Sequence, residues 1–154
     1  VGLVLLVGGA RSGKSTLAVE MGRRHGAGVV FIATAPAPTR DGNDDPDLVD
    51  RIERHRTERP AHWATIEEPT DLVAALERSE QDLAIVDCLT LWVSNLLFAG
   101  RSDDDIVKSS EVAADVAAHR EVVAVTNEVG SGVHPETELG RRYRDVLGRV
   151  NQTW

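Results

Sequence analysis

A chain of 154 residues with 42% apolar side chains is sized for one compact domain around a single core. Its formal charge of −8, from 17 basic and 25 acidic residues, argues against duplex nucleic acid as the main partner, which needs a basic face. The lone cysteine, Cys88, rules out an internal disulfide and fits a reducing cytoplasm, and the apolar run Val1 to Val7 is too short to span a bilayer.

The first predicted element is a strand over Gly2 to Val7, a near-continuous aliphatic run of the kind buried on both faces of a parallel sheet. After a glycine-rich turn, Lys14 to about His25 reads as a helix with Leu17, Ala18 and Met21 on one face, ended near Gly26. Val29 to Ala33 is a second buried strand. Ala35 to Pro46 holds three prolines and reads as a mobile loop. Asp47 to Glu58 reads as an exposed helix, with Leu48, Ile52 and His55 at helical spacing. Trp63 to Ile66 is a short strand, and Thr70 caps a helix through Glu77.

Leu83 to Val86 is a strand ending at Asp87. Leu89 to Ala99 is an apolar helix stopped by Gly100. Ser102 caps a helix running to about His119. Val122 to Val125 is a strand leading into Thr126-Asn127-Glu128, and Pro135 starts a last helix through about Val150. Such alternation predicts a single α/β domain over 1–154, with a mostly parallel sheet between two layers of helices. Ligands of these sheets gather at the carboxyl ends of the strands. The 8–15 loop, Thr34, Asp87 and Asn127-Glu128 all fall there.

Gly8-Gly9-Ala10-Arg11-Ser12-Gly13-Lys14-Ser15 has the spacing of a P-loop between a strand and a helix. Glycines let backbone amides turn inward around phosphate oxygens, and the helix adds the positive end of its dipole. Lys14 can bridge the β- and γ-phosphates, and Ser15 can offer its hydroxyl to Mg²⁺. The chain has only one other lysine, Lys108, so an ammonium at position 14 is a specific choice. Asp87, after four aliphatic residues, is the natural second oxygen donor near the metal; its plainer role is to cap the helix from Leu89.

The segment Arg51-Ile52-Glu53-Arg54-His55-Arg56-Thr57-Glu58-Arg59 sets one histidine among four arginines. A neutral imidazole can attack phosphorus, guanidinium groups can hold phosphate oxygens, and nearby cations favour the uncharged ring. From the residues alone, a solvated helix face of Glu/Arg pairs is the preferred reading.

Motifs along the whole chain change that preference. The P-loop, Phe31-Ile32-Ala33-Thr34, Arg51-Ile52 with His55 and Arg59-Pro60 ahead of Trp63, Asp87-Cys88-Leu89-Thr90 with Asn95-Leu96-Leu97, Val125-Thr126-Asn127-Glu128-Val129-Gly130 and Gly148-Arg149-Val150-Asn151-Gln152 occur in order. Together they resemble the bifunctional adenosylcobinamide kinase/adenosylcobinamide-phosphate guanylyltransferase family of cobalamin assembly. The resemblance implies a RecA-like P-loop NTPase fold, a homotrimer, and two reactions. A nucleoside triphosphate (GTP, with ATP as the other candidate) phosphorylates adenosylcobinamide. GTP then transfers GMP to adenosylcobinamide-phosphate through a GMP-histidine intermediate, for which His55 is the matching position.

By the same resemblance Gly8, Gly9, Ala10, Arg11, Ser12, Gly13, Lys14, Ser15, Ala33, Thr34, Ala35, Arg56, Thr57, Glu58, Arg59, Glu67 and Asp87 contact the nucleotide. Lys14 joins His55 in catalysis, and Ser15 and Asp87 hold Mg²⁺. Glu128 is a candidate base for the cobinamide hydroxyl, with holding the loop to Gly130 as its structural alternative. Trp92 and Phe98 are assigned to core packing ahead of an apolar platform for the corrinoid.

Two departures stand out. Ala35 to Asp50 is longer than in compact relatives, with Asp47-Leu48 where Glu-Met is common. Family members also continue into a further strand, so the C-terminus is expected to be incomplete. A small-molecule P-loop kinase without guanylyl transfer, or a GTP-binding switch, remain the other readings.

Overall fold

Five aliphatic segments form the strands β1 (Leu3–Gly8), β2 (Val29–Ala33), β3 (Ala64–Glu67), β4 (Leu83–Asp87) and β5 (Val122–Asn127). The helices are α1 (Lys14–His25), α2 (Pro46–Glu58), α3 (Leu72–Arg78), α4 (Leu89–Phe98), α5 (Asp103–Ala118) and α6 (Glu138–Thr153). The computed structural model describes residues 2–26, 28–36, 46–80, 82–130, 132 and 134–154, without the side chains of Asp47, Leu48, Arg51, Arg54 and His55. The loop expected before α2 falls at 37–45, outside the described residues.

The strands lie in the order β1-β5-β4-β2-β3, and every pairing is parallel. The chain moves one way across the sheet from β1 to β2 to β3, then reverses to β4 and β5. Crossovers of one hand that reverse direction put their helices on opposite faces. Accordingly, α1 covers one face, packing Ala18 and Val19 on Val29, Phe31, Leu83, Ile85, Val123 and Val125. Helices α3 to α6 cover the other, where Leu72, Trp92, Leu96, Ile106 and Leu147 pack on Ile32, Val86, Val122 and Ala124. The result is the expected three-layer α/β fold, and all five described strands run parallel.

Strand alternation sets where the functional side chains emerge. In β4, Leu83 and Ile85 face α1, so Asp87 follows on the same face. In β5, Val123 and Val125 do so, and Asn127 follows. Thr126, on the opposite face, donates its hydroxyl to Asn151 Oδ1 of α6 at 2.7 Å.

Local chemistry corrects several boundaries and orientations. Asp71, not Thr70, caps α3: its carboxylate accepts from the Ala74 amide at 3.1 Å. Thr70 lies one residue earlier, its amide donating to Glu68 Oε1. The last helix starts at Glu138, because the Thr137 hydroxyl accepts from the Gly140 amide and fixes the first turn there, leaving Pro135 outside. Pro46 instead opens α2, where a missing N–H costs nothing. Leu17 is 50% exposed, not on the packed face, which Ala18, Val19 and Gly22 form. Trp92 is buried as expected, but Phe98, in the last residue of α4, is 79% exposed.

Gly22 marks the closest approach of α1 to the sheet. A Cβ there would meet Trp63 Cη2 at 2.6 Å and Ile85 Cδ1 at 2.9 Å. Gly22→Val should therefore destabilise the fold by about 3 kcal/mol through overpacking. The check is a lower urea midpoint at unchanged slope; a midpoint within error of wild type would count against this tight contact.

Candidate active site

The loop from Gly8 to Ser15 joins β1 to α1, where the sequence placed it. Gly13 is the helix N-cap with φ 87°, and Arg11 also has a positive φ of 56°. Alternating handedness of this kind turns successive amides inward and makes a concave anion nest. No side chain caps the start of α1, so its first amides face the same hollow with the dipole behind them. A Cβ on Gly8 would come within 3.1 Å of Ser12 Oγ and 3.5 Å of Lys14 Cδ, so a side chain at position 8 would crowd the loop. Lys14 Nζ reaches back across it, donating to the Gly9 carbonyl and to Ser12 Oγ at 3.2 Å. Gly9, Ala10, Arg11, Ser12 and Gly13 are exposed, and Lys14 and Ser15 half-buried.

Neighbouring strand ends bring the other candidates to this edge. Gly8 is in register with Asn127 of β5, Asp87 of β4 with Val125, and Ala33 of β2 with both Asp87 and Glu67. With β5 as the only intervening strand, β1 and β4 are about 10 Å apart at the usual interstrand spacing. Asp87 does not cap α4. Its N-cap is Cys88, without a side-chain cap bond, which leaves the carboxylate to the α1 face.

The end of α2 docks on that face. Arg23 of α1 donates to the Glu58 carbonyl at 2.8 Å, and Arg56 pairs with Glu67 at the end of β3. Arg59, just past the helix, lies 4.1 Å from the centroid of the Phe31 ring and donates weakly to Thr65 Oγ1 at 3.4 Å. Burial, and secondarily Arg56, hold its pKa below the ordinary arginine value, while Asp87 and Glu67 oppose the drop. Arg59 thus lies within electrostatic reach of Asp87. Thr57 and Glu58 are exposed in the last turn of α2. The backbone of α2 carries His55 one residue before Arg56; its side chain lies outside the described ones.

Ala33, Thr34 and Ala35 follow one another at the end of β2, but the Thr34 side chain is fully buried. Its hydroxyl is spent on the Cys88 main chain. Burial pushes the neighbouring Cys88 thiol up to about 11, and the charge of Asp87 adds to this, so the thiol stays protonated at neutral pH. Glu128 accepts from the Gly130 amide at 2.7 Å, which is its structural role.

Residues 4–154 match the sequence profile of the family described as cobinamide kinase / cobinamide phosphate guanyltransferase. The chain belongs to this family. The kinase/guanyltransferase assignment is reinforced by curated relatives. The bifunctional adenosylcobalamin biosynthesis protein CobP of Pseudomonas aeruginosa is 43% identical over 154 positions, covering 96% of this chain and 84% of that protein. The bifunctional adenosylcobalamin biosynthesis protein CobU of Escherichia coli is 36% identical over 166 positions, covering 97% and 88%.

The sequence pattern assigns no role to Asn95 and Asn151, which hold main-chain groups at this candidate site. Asn95 of α4 donates from Nδ2 to the Thr34 carbonyl at 2.8 Å and to the Pro69 carbonyl at 2.9 Å. Asn151 of α6 donates to the Asn127 carbonyl at 3.1 Å, and Thr90 Oγ1 accepts from the Asn127 amide at 2.8 Å. For Asn95 the available signal was an amide inside the largely apolar helix LTLWVSNLLF, since a polar group taken out of water must find a partner.

Proposed function

We propose that this chain phosphorylates adenosylcobinamide with a nucleoside triphosphate and then caps the phosphate with GMP from GTP, giving adenosylcobinamide-GDP. In the first step the cobinamide hydroxyl oxygen attacks the γ-phosphorus, the bond to the departing diphosphate breaks, and the hydroxyl proton is released. In the second, an imidazole nitrogen of His55 attacks the α-phosphorus of GTP and pyrophosphate leaves. The cobinamide phosphate oxygen then attacks the same phosphorus, the P–N bond breaks, and the imidazole is freed.

What supports this reading most is the meeting of two groups of residues on one sheet face. The phosphate loop with Lys14 lies there, and so do Arg56 and Arg59 beside Asp87 and Glu67. The loop holds the triphosphate, and the arginines balance charge on the phosphates between loop and helix. Preorganisation supplies most of what phosphoryl transfer needs.

The donor set suits Mg²⁺. Ser15 and Asp87 are hard oxygen donors, and this ion takes few protein ligands when phosphates supply the rest. Among the described residues no cluster of three or more metal-binding side chains occurs, which fits a metal carried with the nucleotide. Bound there, the ion would neutralise phosphate charge. Family resemblance further supports a homotrimer in the cytoplasm and a single domain over 1–154. Among the described residues no helix is long and apolar enough to cross a membrane.

Adenosylcobinamide, GTP and Mg²⁺ together should yield adenosylcobinamide-phosphate and then adenosylcobinamide-GDP with release of pyrophosphate. Phosphorylation without pyrophosphate would leave a plain kinase. Nucleotide binding without either product would leave a binding module.

A further inference from the structure

The residue that bears the Asp87 carboxylate is the last of β4, where the sheet ladder ends. Beyond it the main chain is held by Thr34. The Thr34 amide donates to the Asp87 carbonyl at 3.1 Å. Its hydroxyl donates to the Cys88 carbonyl at 2.7 Å and accepts from the Cys88 amide at 2.7 Å. One hydroxyl therefore satisfies both polar groups of the residue after Asp87. The Thr34 carbonyl is in turn held by Asn95 at 2.8 Å, and Asn95 belongs to α4, whose first residue, Leu89, directly follows Cys88. These bonds close a circuit from the end of β4, through α4, to the end of β2 and back.

The Thr34 side chain is fully buried, whereas the phosphate loop is largely exposed. The one donor of the Thr34 hydroxyl is used inside the protein and the side chain is fully buried, so it cannot also serve a ligand in that hollow. The carboxylate next to it can, because Asp87 faces α1. Divalent-cation sites depend on partners behind the ligating groups to fix their direction, and small displacements there cost affinity.

We propose that Thr34 is a positioning residue: its hydroxyl fixes the Asp87-Cys88 main chain, and so aims the Asp87 carboxylate at the cation carried by the nucleotide. Its side chain makes no contact with the nucleotide itself. This rests on the reading of Asp87 given under Proposed function, and the test separates the two.

GTP affinity is measured by calorimetry with and without Mg²⁺ in the wild type, Thr34→Val, Thr34→Ser and Asp87→Ala. The ratio of the two affinities is the readout. Asp87→Ala and Thr34→Val should each lower the gain from Mg²⁺ about ten-fold. Thr34→Ser keeps the hydroxyl and should keep the gain. A normal gain in Thr34→Val beside a reduced one in Asp87→Ala overturns the positioning role alone. A normal gain in Asp87→Ala overturns the reading of that carboxylate, and the proposal with it. Equal weakening with and without metal makes Thr34 merely structural and also overturns the proposal. If Thr34→Val does not fold, Thr34→Ala decides by the same ratio.

Discussion

Replacing His55 with alanine is expected to remove guanylyl transfer almost completely, by about three orders of magnitude or more, while phosphorylation of cobinamide stays within a few-fold of wild type. The asymmetry follows from the chemistry. The kinase step moves a phosphoryl group directly from nucleotide to hydroxyl, and needs the cradle of residues 8–15 but no protein nucleophile. Guanylyl transfer through a covalent intermediate has no route without the attacking atom. Wild-type protein incubated with α-labelled GTP and Mg²⁺, then denatured, should carry label. The label should be lost in acid and retained in base, as a phosphoramidate demands. His55→Ala should carry none. An unlabelled wild type, or label that survives in His55→Ala, would remove the histidine from the mechanism and favour a kinase alone.

The surroundings of α2 make this a demanding test. Arg56 is engaged with Glu67, and Arg59 lies against Phe31 with its charge balanced in part by Asp87. A merely solvated helix face would not require Arg56 and Arg59 to meet a sheet edge that also carries the 8–15 loop. Loss of label in His55→Ala with GTP binding intact would separate the nucleophile from the surrounding anion-binding groups.

The second large effect is expected from Lys14→Ala. The ammonium bridges the loop to the Gly9 carbonyl and Ser12 hydroxyl, so it lies at the centre of the hollow that would receive the phosphates. Its removal should weaken GTP binding about ten-fold or more through lost charge-assisted hydrogen bonds. It should slow both transfers by about 10²–10³, because charge on the departing phosphates is no longer matched. Lys14→Arg should not restore either, since the planar guanidinium has a different shape and reach. Calorimetry and single-turnover rates measure the two effects separately. GTP affinity equal to wild type in Lys14→Ala would defeat the phosphate-loop assignment.

Much of this was legible because local rules govern it. The aliphatic runs Val29–Ala33 and Leu83–Asp87 form strands at those positions, since nothing but a sheet buried on both faces accommodates them. Ser102 caps α5 through the Asp105 amide, and Gly100 takes the positive φ of 77° expected after α4. The phosphate loop is the clearest case. Its glycine spacing dictates a backbone conformation, with Gly13 at φ 87°.

Where local rules compete, the helix ends fall a few residues from the positions that the sequence pattern predicts. Thr70 and Asp71 are both good caps; Glu68 Oε1 accepts from both their amides and from the Thr70 hydroxyl, which leaves the Asp71 carboxylate to accept from the Ala74 amide. Pro135 suits a first turn, but Thr137 offered the hydroxyl that the amide of Gly140 required. Leu17 and Phe98 are apolar on helices that pack, yet both point away from the sheet, because apolarity is a preference and packing is a geometry.

The sequence by itself determined the alternation of elements, the phosphate loop and the family. Only the tertiary structure decided which strand ends meet. Strand order depends on pairings between segments far apart in the chain, and no local periodicity encodes them. That order placed β5 between β1 and β4, and set the ends of β2 and β4 side by side so that the Thr34 hydroxyl turns inward onto Cys88. A buried hydroxyl and an exposed one are spelled with the same residue, and their difference lies in what the folded chain sets against them.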